Sequence, residues 1–162
     1  MQSMSIRSTA KAIILDDDKI LLNKCRDQHN GEYYTLPGGG QEPYETLHDA
    51  IVRECLEETG YTVEPLRFAA LCEEICDNAD YRRTHPQYAH KMLHIFVCGL
   101  ATRDVCKPTE TDDDQIVSEW VDIHALSGIR LLPQVVGENL SELIESDKPL
   151  FLGSQHVAHN HG

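Results

Sequence analysis

A mixed sheet held between helices, an α/β architecture, is predicted by three features of the 162-residue sequence. Apolar runs with strand character lie on both sides of one well-capped helix at 46–59, and a second helical pattern follows near 136–144. No internal repeat or linker divides the chain, so residues 1–152 are expected to form one domain. Residues 153–162, which include His156, His159 and His161, are expected to be a disordered tail.

Taken in order, residues 8–15 and 20–25 are apolar runs flanking Asp16-Asp17-Asp18-Lys19, the pattern of a hairpin with a polar turn. Residues 26–31 read as a loop, and 33–37 as a short strand leading into Gly38-Gly39-Gly40. Consecutive glycines permit a close backbone approach that a side chain would forbid. Thr46 with Asp49 forms a capping-box pattern that opens the helix, and Gly60 is placed to stop it. On that helix Ile51, Val52, Cys55 and Leu56 share one arc, while Glu54, Glu57 and Glu58 share another. A strand broken by Pro65 is expected over 61–76, a polar loop over 77–87 and a strong strand over 90–100. A second polar loop runs to Asp112-Asp113-Asp114, followed by a strand at 116–121 that carries the only tryptophan, Trp120.

Composition limits the function. With 27 acidic against 14 basic residues the net charge is −13, which argues against binding a nucleic-acid polymer. No apolar run approaches a membrane span and no basic, apolar leader opens the chain, so no membrane partner and a cytoplasmic location are expected. The 6 cysteines are then expected to be reduced. A phosphorylated substrate would be repelled by this acidity unless cations are already in place.

The three acids of the central helix sit where a helix least favours them. They occupy its last two turns, at the negative end of the dipole and beside one another. A divalent cation would reverse that electrostatic penalty, and hard carboxylate oxygens suit Mg²⁺, with Mn²⁺ as a substitute. The spacing Gly39-x5-Glu45-x7-Arg53-Glu54-x2-Glu57-Glu58-x-Gly60 resembles the signature of the Nudix hydrolase family. Cys55 and Tyr61 stand where that signature prefers aliphatic residues. Further similarity lies in Leu21-Leu22, Gly31, Tyr34, Leu36-Pro37 and Trp120.

The resemblance implies an α/β/α sandwich and a metal-dependent pyrophosphohydrolase. Such an enzyme cleaves the diphosphate of a nucleoside diphosphate linked to another moiety by attack of water. It implies Glu54, Glu57 and Glu58 as metal ligands and catalytic residues, joined by the Gly38 carbonyl. Glu54 or a loop carboxylate would be the general base, with Arg53 paired to Glu45 to hold the glycine loop. Asp112, Asp113, Asp114 and Glu119 are candidates for a further acid. Arg82, Arg83, Lys24 and Arg26 are candidates for the substrate phosphates. The expected partner is a small nucleotide of the nucleoside triphosphate or nucleotide-sugar type, and a homodimer is a compatible assembly. The alternative is a catalytically silent nucleotide-binding or regulatory domain of the same family.

Overall fold

The computed structural model describes residues 4–161. Eight strands form one mixed sheet: β1 (Arg7–Asp16), β2 (Lys19–Asp27), β3 (Gly31–Thr35), β4 (Gly38–Gly40), β5 (Tyr61–Cys76), β6 (His90–Val105), β7 (Gln115–Asp122) and β8 (Leu150–Val157). Their order is β3-β2-β1-β6-β5-β8, with β4 on β1 and β7 on β2. Helix α1 (Leu47–Thr59) covers one face, and α3 (Gln134–Glu145) covers the other. Alternation along β1 feeds both layers: Ala10, Ala12 and Ile14 pack with Ala50, Ile51 and Cys55 of α1, while Ile13 joins Val136, Leu140 and Leu143 of α3.

The polar turn Asp16–Lys19 closes the β1–β2 hairpin, with Asp17 in a left-handed conformation. Thr46 caps α1 through the Asp49 amide, and Gly60 at φ 78° ends it, as the spacing predicts. Cys55 is fully buried and serves as a small apolar core residue. Tyr61 meets Trp120 edge-on and accepts its indole N–H at 2.9 Å, a contact that an aliphatic side chain could not make.

β1 carries the feature that shapes the site. One of its edges is divided between two strands: β2 pairs at residues 14–16 and β4 at residues 9–11. The sheet therefore forks beside residue 12, whose amide bonds to the Pro37 carbonyl at 2.9 Å.

Three expectations need correction. Strands run on into expected loops: β2 reaches Asp27 and β3 begins at Gly31 within 26–31, and β6 continues past 100 to Val105, where it still pairs with Tyr61 of β5. Residues 77–87 are not simply a loop, because α2 (Ala79–Thr84) and a short 3₁₀ turn (Pro86–Tyr88) occupy most of them. Residues 153–161 are not a disordered tail. β8 pairs in parallel with β5, Leu150 and Leu152 pack on the core, and Ser154 and His156 bond to Glu73 and Asp77. The open edge of β5 supplies the ladder partners that no local signal in the sequence announces. Gly162, the last residue of the expected tail, lies outside the described residues, as do residues 1–3 of the expected domain.

Candidate active site

A cleft of about 1290 Å³ runs from the C-terminal half of α1 past β1 to α2. Glu54, Glu57 and Glu58 all line it. The approach of Glu54 depends on Gly39, where an added Cβ would lie 2.6 Å from its carboxylate.

Glu58 plugs the fork of the sheet. Its Oε2 accepts the Asn23 amide of β2 at 3.0 Å and the Gly38 N–H of β4 at 3.0 Å. Ser118 fixes Asn23 in turn by donating to its Oδ1 at 2.7 Å. Burial pushes the Glu58 carboxyl up to about 7, although Lys11 and the Gly38 amide pull it the other way. Glu57 is also raised, first by burial and then by the charge of Glu54.

Arg53 ties the acidic face to the glycine loop. It grips Glu45 with two bonds, Nε to Oε1 at 2.7 Å and Nη2 to Oε2 at 3.0 Å, and donates to the Gly40 carbonyl at 3.0 Å. The same guanidinium reaches Glu54 at 2.9 Å and Glu57 at 3.3 Å. It therefore relieves part of the repulsion among the acids, and the Glu45 bonds, more than offsetting burial, raise its own pKa.

The loop before β7 is anchored on the end of α1. The Glu57 carbonyl accepts the Thr109 and Glu110 amides at 2.9 and 3.0 Å, and the Glu58 carbonyl accepts Gln115 Nε2 at 3.1 Å. These bonds satisfy carbonyls that a helix end leaves open, and they bring Glu110, Asp112, Asp113 and Asp114 to the cleft. Burial, followed by Asp27 and the neighbouring acids, raises Asp114.

Other candidates from the sequence lie elsewhere. Arg82 bonds to Asp77 and the Cys76 carbonyl, and Arg83 to Asp80; neither lines the cleft. Lys24 pairs with Glu32 outside it, while Arg26 lines the cleft but is committed to the same Glu32 at 2.7 Å. Glu119 accepts the Tyr34 hydroxyl away from the cleft. Sequence reasoning missed Asn23, Glu110, Lys11 and Arg7. Strand alternation about β1 is the one signal that could have grouped the last two.

At the far wall Glu74 is buried with Lys91 at 3.1 Å and His161 at 2.7 Å. Burial alone would raise this carboxyl, but the His161 hydrogen bond and the Lys91 charge outweigh it and hold it at about 2.

Among the described residues no three acidic, cysteine or histidine side chains close around one point as a metal shell. The helix acids are instead drawn to separate partners, Glu54 and Glu57 to Arg53 and Glu58 to Asn23 and Gly38. Their donor chemistry still fits a hard divalent cation, because it consists of carboxylate oxygens and one main-chain carbonyl. That carbonyl, Gly38, already faces a positive charge, the Lys11 ammonium at 3.0 Å.

The family model described as NUDIX domain matches residues 6–143. A Caenorhabditis elegans protein whose name places it among nudix hydrolases is 27% identical over 146 residues, covering 87% of this chain and 35% of that protein. The NAD-capped RNA hydrolase NudC of Photorhabdus laumondii is 43% identical over 54 residues, 33% of this chain and 21% of that one. The chain thus spans about a third or less of the length of these two curated relatives. Among solved structures, a NUDIX hydrolase from Nitrosomonas europaea superposes with a TM-score of 0.69 at 20% identity, covering 90% of this chain and 93% of that one.

Proposed function

Given that the chain belongs to the NUDIX domain family, we propose that it is a metal-dependent pyrophosphohydrolase acting on a nucleoside diphosphate linked to another moiety. The observation that carries this reading is the gathering of Glu54, Glu57 and Glu58 in one cleft with the acidic loop 110–114. Glu54, Glu57, Glu58 and the Gly38 carbonyl would hold Mg²⁺ or Mn²⁺. When bound, such a cation neutralises phosphate oxygens and lowers the pKa of water.

The chain's own residues have separate tasks. Arg53 and Glu45 hold the glycine loop against α1 and so position Gly38. Asn23 and the Gly38 amide orient Glu58. Glu54 takes the proton of the attacking water; a loop acid among Asp112, Asp113 and Asp114 is the competing base, since all three line the same cleft. The substrate class includes nucleoside triphosphates and nucleotide sugars. A relative named for NAD-capped RNA supports the broader group in which a diphosphate joins two moieties.

A substrate panel with Mg²⁺ or Mn²⁺, read by phosphate release and nucleotide analysis, tests the proposal. Hydrolysis of at least one diphosphate-linked nucleotide, abolished by EDTA, is expected. Turnover undiminished in excess EDTA would overturn the metal-dependent reading.

A further inference from the structure

We propose that Lys11 and Arg7 of β1 form the phosphate grip of this cleft, so that the substrate lays a chain of consecutive phosphates along that strand. The proposal rests on the hydrolase reading for its substrate class and on geometry for the residues. In the parallel register of β1 with β6, Arg7 stands opposite Lys91, Thr9 opposite Leu93 and Lys11 opposite Ile95. Alternation puts these residues on one face, and all six line the cleft.

Among the described residues four lysine or arginine side chains reach the cleft: Arg7, Lys11, Arg26 and Lys91. Two are already neutralised, Arg26 by Glu32 at 2.7 Å and Lys91 by Glu74 at 3.1 Å. Arg7 and Lys11 have no carboxylate within ion-pair distance among the described residues, in a protein with 27 acids to offer. Lys11 donates only to the Gly38 carbonyl, and Arg7 lies over the Tyr88 ring, 4.8 Å from its centroid, and against Gly40. Both are half-buried. Arg7 is half-desolvated with no carboxylate in contact, and Lys11 feels Glu58 only from beyond ion-pair distance, so a multiply charged phosphate ligand supplies the direct contact that both lack.

The spacing adds direction. Four residues of strand separate the two positions by about 13 Å. Lys11 sits at the Glu58 end, since both side chains bond to Gly38, and Arg7 sits at the end marked by Tyr88 and the stacked pair Tyr81–His85, whose centroids are 4.9 Å apart. A phosphate chain that begins at the helix acids therefore meets Lys11 first and Arg7 later. The arginines of α2, paired with their own aspartates, are not needed for this task.

The test uses inorganic pyrophosphate as the probe and calorimetry as the readout, on the full chain with and without Mg²⁺. Lys11→Met and Arg7→Met remove charge while keeping a side-chain stem, and Lys11→Arg restores the charge. Circular dichroism reports whether each variant is folded. The parent is expected to bind, with affinity reduced about 10-fold or more in each methionine variant and largely recovered in Lys11→Arg. On the best substrate of the panel the methionine variants should raise KM more than they lower kcat. Equal pyrophosphate affinity in folded parent and methionine variants, or no binding to the parent in either condition, overturns the grip. Variant-sensitive pyrophosphate binding in a protein that hydrolyses nothing on the panel would keep the grip and reject the hydrolase reading.

Discussion

Replacing Arg53 with Gln is the sharpest perturbation of the site, because one guanidinium serves Glu45, the Gly40 carbonyl, Glu54 and Glu57 together. The side chains of Arg53, Glu45 and Glu54 are 27%, 13% and 17% exposed, so solvent screens the cluster only in part. An exposed ion pair contributes below about 1 kcal/mol, whereas breaking a buried one costs about 3–5. The loss expected here lies between them, about 2–4 kcal/mol, and includes the repulsion left among the acids. For a chain of this length that corresponds to a Tm lower by about 6–12 °C. Thermal and urea unfolding followed by circular dichroism in EDTA measures it. Repeating the scan with Mg²⁺ should narrow the gap between mutant and parent, since a bound cation would relieve the same repulsion. A double-mutant cycle with Glu45→Gln should be strongly non-additive. A loss under about 0.5 kcal/mol would refute the argument and leave Arg53 a solvated surface charge.

Three further outcomes are expected. Glu54→Gln should lower kcat by about 10²–10⁴-fold with the fold intact by circular dichroism, and near-parental turnover would pass the base role to Asp112, Asp113 or Asp114. Adding Mg²⁺ should raise the Tm of the parent and raise it less in Glu57→Gln; equal shifts would remove Glu57 from the ligand set. Glu74, held at about 2 in the folded protein, has an ordinary value of 4.5, so the unfolded chain takes up its proton first as pH falls. Its contribution is therefore full above about 4.5 and lost on acidification toward 2, and stability profiles of Glu74→Gln should be flatter across that window.

Residues with local causes were legible in the sequence. The Thr46–Asp49 cap, the Gly60 stop and the shared face of Glu54, Glu57 and Glu58 follow from spacing within one helix, and the structure places all of them as spacing predicts. The pairing of Arg53 with Glu45, which lies outside α1, came instead from what the family resemblance implies, and the two side chains are bonded in the structure. Features fixed by distant partners were not legible. β8 forms because β5 offers an open edge far earlier in the chain, as in the bond between Ser154 and Glu73, which are 81 residues apart. Arg82 and Arg83 looked available because a polar segment hides its internal ion pairs, with Asp77 and Asp80. Glu119 looked available because sequence alone does not show that the Tyr34 hydroxyl faces it across the sheet.

The fork beside residue 12 makes position 23 part of the helix motif in all but sequence. Asn23 stands 35 residues before Glu58, on a strand that resembles any other apolar hairpin arm, yet its amide and the Gly38 N–H share a single carboxylate oxygen. A saturation mutagenesis screen scored on turnover should find position 23 nearly as intolerant as the helix acids. Its buried neighbours Leu21 and Leu22 should accept apolar exchanges of similar volume. Any transplant of the glycine loop and α1 into another scaffold would also have to bring an amide donor on the adjoining strand, because the loop and helix alone leave one side of Glu58 without its hydrogen bond.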